Sequence, residues 1–154
     1  MFALVPATEA HALDLAANLS SGSMLECQQM GWNPGPHCVY VLRTSAYVFA
    51  AVEDGRCFCM FGCYPDSLVA DSGQVWLLTA ATLPKERIRM AMATRHYLPY
   101  IRNRFTKIYG WVYEGNAVSI KWLKWLGYEI SPETTPLGPD SALYHYCEWK
   151  PCQS

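Results

Sequence analysis

The sequence predicts an α/β fold, in which a mixed, mostly antiparallel sheet of six to seven strands is flanked by about four helices. Residues 74–80 form a continuous apolar run, which is typical of a central strand covered on both faces. Strand-type segments rich in Val, Tyr, Phe and Cys precede this run, and amphipathic helical segments alternate with strands after it. With 154 residues, of which 51% are hydrophobic and 16% charged, we expect one domain over residues 1–154.

The first half of the chain is predicted to form a strand, two helices and then a meander of strands. The expected ranges are a strand over 2–8, helices over 8–19 and 20–31, and strands over 39–43, 47–53 and 56–64. Ser21 or Ser23 is expected to cap the second helix, which should end at Gly31. The sequence WNPGP at 32–36 indicates a loop, and Asp54-Gly55 indicates a two-residue hairpin turn of type I′.

The second half is predicted to alternate helices and strands. The expected ranges are a helix over 84–105, a strand over 107–113, a helix over 116–126, and strands over 128–130 and 142–149 separated by a turn over 136–139. Pro84 suits a first helical turn, and Pro99 is expected to kink or split the long helix. Asn116 is placed to cap the later helix, which Gly127 should end. The apolar stripe of the long helix is expected to consist of Ile88, Met92, Leu98, Ile101 and Phe105.

Seven cysteines are spread along the chain without the regular spacing of a disulfide scaffold, which favours reduced thiols that fill the core. Cys57, Cys59 and Cys63 form a C-x-C-x3-C pattern, and strand alternation predicts that Cys57 and Cys59 share one face. Structural zinc sites usually combine two pairs of ligands, and a second pair is missing here. We therefore expect no metal.

The start of the chain lacks the basic segment and apolar run of a signal peptide. No apolar stretch approaches the roughly 20 residues of a membrane span. The sequence thus predicts a soluble, cytoplasmic protein that does not enter a membrane.

Charge is unevenly distributed, although the net charge is only −1. Residues 75–125 contain nine basic and two acidic side chains, whereas the rest of the chain contains three basic and eleven acidic ones. We expect the two parts to attract each other, or the basic part to face an anionic ligand. The near-neutral total argues against a general nucleic-acid-binding protein, and aromatic residues such as Trp111 and Trp122 are expected to pack in the core.

Residues 112–128 combine a strand followed by Asn116, a helix with Ile120 and Leu123, and the exit Leu126-Gly127-Tyr128. This order resembles the second half of the GNAT acetyltransferase superfamily. Together with the strand over 74–78 and the basic helix, it is most similar to GNAT-like proteins of short-tailed bacteriophages, which are described as internal virion or acetyltransferase-like proteins. The first half of the chain matches the family only in the order of its elements.

The resemblance implies an acetyl-CoA site where the fourth strand meets the following helix, and a wedge between the strands of Trp76 and Trp111 that opens toward that helix. The implied cofactor-binding residues are Leu78, Thr79, Ala80, Lys85, Arg87, Ile88, Arg89 and Asn116. The family holds the pyrophosphate with backbone N–H groups in a glycine-containing turn. No glycine occurs over 74–109, so Ile88 or Met90 stands where a glycine belongs. The cations of the basic helix are expected either to replace those amides or to form a solvated face.

Two carboxylates are candidates for the general base that acyl transfer to an amine requires. Glu114 follows a central strand and Glu53 ends a meander strand, and both also fit ordinary surface carboxylates. Asn116 likewise fits a simple helix cap. Active members of the family commonly place a tyrosine seven residues after the asparagine, but that position is Leu123 here, and leucine cannot transfer a proton.

Three functions remain open at this stage. The first is a phage-type GNAT-fold protein with a degenerate acetyl-CoA site, which binds a protein partner in the virion or in the host cytoplasm. The second is an N-acyltransferase that uses acetyl-CoA to modify an amine of a protein or small molecule. The third is a nucleic-acid-binding module. The missing glycines and the missing tyrosine favour the first.

Overall fold

The computed structural model describes residues 2–81 and 84–149, with the backbone alone described for residues 84–86. Seven strands and five helices occur in this part of the chain. In chain order they are β1 (Ala3–Pro6), α1 (Glu9–Ala17), α2 (Ser21–Met30), α3 (Pro34–Thr44), β2 (Ala46–Glu53), β3 (Arg56–Pro65), β4 (Ser72–Thr79), α4 (Pro84–Arg104), β5 (Lys107–Tyr113), α5 (Ala117–Trp125), β6 (Glu129–Leu137) and β7 (Ala142–Trp149). The predicted α/β fold class is confirmed, and a fifth helix joins the four expected.

The seven strands form one sheet in the order β1-β2-β3-β4-β5-β7-β6. The parallel pair is β4 with β5, and every other neighbouring pair is antiparallel. The parallel pairing covers only Ser72–Gln74 against Lys107–Tyr109, at the start of each strand. On their other edges β4 pairs with β3 from Gly73 to Thr79, and β5 pairs with β7 from Ile108 to Tyr113. β4 and β5 lose their mutual pairing after Gln74 and Tyr109 and diverge into a wedge, as the resemblance implied.

Two hydrophobic clusters lie on the two faces of the sheet. On one face α1 and α3 pack against β2 and β3 through residues such as Leu15, Cys38 and Met60. On the other face α4 packs through its second half, where Leu98 and Ile101 are buried, and Phe105 directly after the helix is buried with them. The wedge therefore opens in the middle of a sheet that is covered by helices on both sides.

The predicted strand over 39–43 is wrong, because these residues belong to α3. Pro34 and Pro36 occupy the first turn of that helix, where the missing N–H group of proline is not needed, so the expected loop ends at Asn33. Cys38 and Val41 are buried three residues apart, which is a helical spacing. The segment looked strand-like because its β-branched and aromatic residues are also those that strands prefer.

Among the predicted caps, turns and strand ends, the turn after β2 is confirmed, whereas the cap of α2 and the end of β6 differ from the prediction. The cap of α2 is Ser20, whose Oγ accepts from the N–H of Ser23 at 3.2 Å, and not Ser21 or Ser23. Asp54 and Gly55 have φ values of 51° and 75°, as the predicted hairpin turn requires. β6 extends to Leu137, so the following turn lies later than predicted.

No helix in the described ranges is long and apolar enough to cross a membrane.

Pro99 was predicted to kink or split the long helix, and α4 runs from Pro84 to Arg104 without a break at Pro99, so the helix is not split. Ile88 and Met92 were predicted to face the core but are 66% and 58% exposed. The buried residues Met90, Thr94, Leu98, Ile101 and Phe105 recur every three or four positions instead. In the first half of α4 the buried face therefore contains Met90 and Thr94 in place of the predicted Ile88 and Met92.

The six described cysteines are free and buried, which fits thiols that fill the core. Cys57 belongs to the cluster of α1 and α3, whereas Cys59 belongs to the cluster of α4. A bulge opposite the pair Ala51 and Val52 interrupts the alternation between them. The expectation that Cys57 and Cys59 share a face is therefore wrong. No group of three or more His, Cys, Asp or Glu side chains in the described residues could hold a metal ion.

β4 lies so close to β3 at Gly73 that a side chain there should destabilise the protein. A Cβ at this position would lie 2.6 Å from Cys63 Sγ and 3.0 Å from the Tyr64 carbonyl oxygen. We expect Gly73→Ala to lower the free energy of unfolding by about 1–3 kcal/mol, measured by urea denaturation. Gly35→Ala in α3 is the control, because nothing lies within 4 Å of its Cβ and alanine favours the helix by up to about 1 kcal/mol. Equal stability of the two variants would contradict the close approach.

Candidate active site

Two cavities open where β4 and β5 diverge. The helix-side cavity, of about 570 Å³, lies between the end of β4, the first turns of α2 and α4, and α5. The sheet-side cavity, of about 370 Å³, runs between the diverging strands and reaches α2, Trp32 and His37. Both volumes fall within or near the range of roughly 300–1,000 Å³ that is common for small-molecule sites.

The two cavities meet at a junction of five residues that line both of them. These residues come from four different elements: Glu26, Leu77, Thr94, Ser119 and Trp122. Glu26 is the one ionisable side chain among them. A molecule that extends through the helix-side cavity toward the wedge therefore reaches a carboxylate where the two cavities join.

α2 carries this carboxylate across the wedge. At its first end, the N–H of Thr79 in β4 donates to Ser23 Oγ at 3.0 Å, and the N–H of Ser20 donates to the Thr79 carbonyl at 2.8 Å. At its other end, the hydroxyl of Tyr144 in β7 donates to Gln29 Oε1 at 2.6 Å. Glu26 lies between these two attachments and so faces the gap between the strands.

Burial raises the pKa of Glu26 from its ordinary value of 4.5 to about 7, and a hydrogen bond from Asn116 partly offsets the rise. Asn116 Oδ1 also accepts from the N–H of Ser119 at 3.1 Å, so the asparagine caps α5 with its oxygen and holds Glu26 with its amide. A carboxyl group with a pKa near 7 can both accept and release a proton at neutral pH.

On the side of β4 that faces the wedge, no described strand pairs with the backbone after Gln74. Thr79 directs its N–H and carbonyl to α2, away from β3. Because strand backbones alternate, Leu77 directs its N–H and carbonyl to the same side, into the junction. Trp122 adds a buried Nε1–H group that has no hydrogen-bond partner among the described residues. The junction thus offers hydrogen-bond donors close to the carboxylate.

Six of the eight predicted cofactor-binding residues line the cavities. Leu78 lines the sheet-side cavity, and the other five line the helix-side cavity: Thr79, Ala80, Arg87, Ile88 and Asn116. The side chain of Lys85 lies outside the described residues. Arg89 lines neither cavity, because its guanidinium group donates to both carboxylate oxygens of Glu53 at 2.9 and 3.1 Å.

Neither predicted base lies in the wedge. Glu53 is bound to Arg89 at the end of β2, and Glu114 is exposed just after β5. Both are absent from the described linings of the two cavities. The sequence analysis missed Glu26, which lies three residues after the buried Ser23 and next to the buried Cys27. That helical spacing is the signal that could have indicated an inward-facing carboxylate.

Most of the described arginines of α4 contact groups of the protein itself. Arg95 lies over Trp125, Arg102 lies over Trp149 and donates to the Leu126 carbonyl, and Arg104 donates to the Ala70 carbonyl. Arg89 and Lys107 form ion pairs with acids outside the basic segment. The expected attraction between the two parts of the chain is therefore present, and Arg87 is the arginine of α4 that lines a cavity.

Comparison with solved structures identifies the architecture. An acetyltransferase of the GNAT family from Streptococcus pneumoniae matches with a TM-score of 0.71 and 12% identity, over 96% of this chain and 97% of that one. The chain has the GNAT acetyltransferase fold. Neither protein-family models nor curated protein sequences give a match.

Two further structures share the GNAT fold of this chain. An aminoglycoside 6′-acetyltransferase type Ii matches with a TM-score of 0.73 and 11% identity, over 100% of this chain and 99% of that one. The yncA protein of Salmonella typhimurium, whose structure contains its cofactor acetyl-CoA, matches with a TM-score of 0.70 and 9% identity, over 99% of this chain and 95% of that one.

The raised pKa of Glu26 means that its charge destabilises the folded protein above pH 4.5. At about 1.4 kcal/mol per pKa unit, a rise from 4.5 to about 7 makes the ionised form about 3 kcal/mol less favourable in the folded state than in the unfolded state. The destabilisation is absent below pH 4.5, grows as pH rises and is complete above about 7. We therefore expect Glu26→Gln to raise the free energy of unfolding by up to about 3 kcal/mol at pH 8, and to leave it nearly unchanged at pH 4.

Thermal and urea unfolding at the two pH values measure this effect. The matched control is Glu114→Gln, because an exposed carboxylate should change stability by less than about 0.5 kcal/mol at either pH. A Glu26→Gln protein that is less stable than the wild type at pH 8 would rule out a strained, buried carboxylate.

Proposed function

We propose that this protein is an acetyl-CoA-dependent N-acyltransferase that acts on a primary amine in the wedge between β4 and β5. The observation that carries the proposal is the position of Glu26, a carboxylate with a pKa near 7 at the junction of two cavities. One cavity leads from this junction to the start of α4 and the other leads away from it. Such an arrangement suits a reaction between two molecules that enter from different sides.

The helix-side cavity fits the cofactor. Its far end adjoins the start of α4, where backbone N–H groups and the helix dipole favour phosphate, and Arg87 adds a positive side chain. Between that end and the junction, an extended chain containing amides can pair with the free edge of β4 at Leu77. Thr79, Ala80, Ile88 and Asn116 would then surround it, and Leu78 would lie beyond the junction.

Acetyl-CoA, when bound, supplies an acetyl group activated as a thioester. Glu26 would take one proton from the ammonium group of the substrate, and the freed nitrogen would form a bond with the carbonyl carbon as the carbon–sulfur bond breaks. The Leu77 N–H, which strand alternation directs into the junction, would donate to the carbonyl oxygen as negative charge develops on it. The thiolate that leaves requires a proton, which Leu123 cannot provide. The hydroxyl of Ser119 lies one turn earlier on the same face of α5 and lines the junction. We propose that it would give its proton to the thiolate and take up in exchange the second proton, which the nitrogen loses as the amide forms.

A protein-binding factor with a degenerate cofactor site is the second candidate function. The absence of glycine from residues 74–109 favours it, because α4 begins soon after β4 and leaves little chain for a phosphate-binding turn. Leu123 also favours this candidate, because it occupies the position where a catalytic tyrosine is common. In this candidate the chain acts in a bacteriophage virion or in a host cell through a protein partner and transfers no acetyl group.

Binding of acetyl-CoA separates the two candidates. Isothermal titration calorimetry with the full chain should give a dissociation constant between about 1 μM and 1 mM, the usual range for enzyme substrates. Arg87→Ala should weaken this binding about threefold to tenfold, because it removes a cation from the cavity. Arg89→Ala is the matched control and should leave the affinity unchanged, because Arg89 is bound to Glu53. No heat at millimolar acetyl-CoA would instead support the second candidate.

Acetyl transfer should depend on Glu26 and on pH. With a pKa of about 7, the basic form is present above that value, so kcat/KM should fall as pH drops through 7. Glu26→Gln should lower kcat by about 10²- to 10⁴-fold and leave acetyl-CoA affinity within about twofold. Glu53→Gln and Glu114→Gln should retain the activity. The assay follows the release of free CoA thiol with primary amines, and an unaltered rate in Glu26→Gln would exclude this residue as the base.

A further inference from the structure

The sheet-side cavity has a composition that bears on the amine it admits. Beyond the junction it is bordered by α2, the start of α3, and the diverging strands. The side chains that line this part are mostly aromatic or apolar: Met30, Trp32, His37, Trp76, Trp111 and Tyr144. The rings of Trp32 and His37 are stacked with their centroids 4.1 Å apart, so they present a flat aromatic surface at the rim.

Charge is scarce in the same cavity. Among the described residues that line it, Glu26 is the sole acid, and lysine and arginine are absent. Burial lowers the pKa of His37, so its ring is neutral at physiological pH. Each additional ammonium group of a ligand would have to leave water without a carboxylate partner, which opposes its binding. The cavity therefore matches a ligand with one amine and an apolar remainder.

We propose that the acceptor is a small primary monoamine with an aromatic substituent, in contrast to a polyamine or an aminoglycoside. The inference rests on the proposed function, because it assigns the second substrate of the same site. The single ammonium group binds the Glu26 carboxylate and gives up its proton there before the nitrogen attacks the thioester. The aromatic substituent lies in the sheet-side cavity, whose volume of about 370 Å³ suits a molecule of one or two rings.

Amine binding can be measured without the cofactor, which keeps this test separate from that of the proposed function. Saturation-transfer NMR with the full chain at pH 8 compares 2-phenylethylamine and tryptamine with spermidine and kanamycin. We expect the two aromatic amines to bind at least tenfold more tightly than the polycations. Tighter binding of spermidine or kanamycin would overturn the inference.

Trp32 supplies the sharper test. It is 47% exposed and lines the cavity, whereas Trp125 is 43% exposed and lines neither cavity, so the two tryptophans form a matched pair. We expect Trp32→Ala to raise the KM for 2-phenylethylamine roughly threefold to tenfold, the effect of one lost aromatic contact, without changing the KM for acetyl-CoA. Trp125→Ala should leave both values unchanged. Equal effects of the two substitutions would overturn the assignment.

A substitution at Met30 should change the preference of the cavity between a monoamine and a polyamine. Met30→Glu adds a second carboxylate to the lining, so it should improve the binding of spermidine relative to 2-phenylethylamine by about tenfold. An unchanged preference would contradict the role of charge.

If acetyl-CoA fails to bind in calorimetry, the proposed function fails whatever the amines do. If acetyl-CoA binds and spermidine is the better acceptor, the proposed function stands and only the assignment of the amine is wrong.

Discussion

The divergence of two parallel strands is the constraint on which the site depends. β4 and β5 pair over three residues only, whereas each pairs with its antiparallel neighbour along nearly its whole length. The unpaired backbone that results must find other partners, because buried N–H and carbonyl groups are costly when left alone. α2 satisfies the end of β4 through Ser20 and Ser23, whereas strand alternation directs the N–H and carbonyl of Leu77 toward the cavities that this residue lines. The gap between the strands is thus both a defect in the sheet and a place for a ligand.

Glu26 illustrates why such a site opposes stability. Its carboxylate is removed from water and has an amide, but no described cation, as its hydrogen-bonding partner. The rest of the fold compensates through the two hydrophobic clusters and the buried thiols that extend them. A residue that weakens the folded state and lies where two cavities meet is more readily explained by chemistry than by packing.

The sequence was sufficient for most helices and strands of the fold and insufficient for the proton acceptor of the site. The strand over residues 107–113 and the helix capped by Asn116 were predicted correctly because apolar runs and capping residues act locally. The helix α3 was missed because its Val and Tyr residues suit a strand equally well, and the proline signal was read as a loop. Glu26 could not be selected among the acids, because its burial results from α2 lying across a gap between distant strands. Arg89 was misassigned for the same reason, since its partner Glu53 is 36 residues away in the chain.

The attachment of α2 at both ends sets the position of the Glu26 carboxylate relative to the two strands. The helix is tied to β4 at Thr79 and to β7 at Tyr144, and the turn after β6 fits against it so closely that a Cβ on Gly138 would overlap the Gln29 carbonyl oxygen. The carboxylate therefore lies on a helix whose two attachments stand on opposite sides of the opening. Its distance from any bound thioester is set by the width of that opening, so a substitution far from Glu26 that spreads the sheet would misplace the proton acceptor without altering a single residue in contact with substrate.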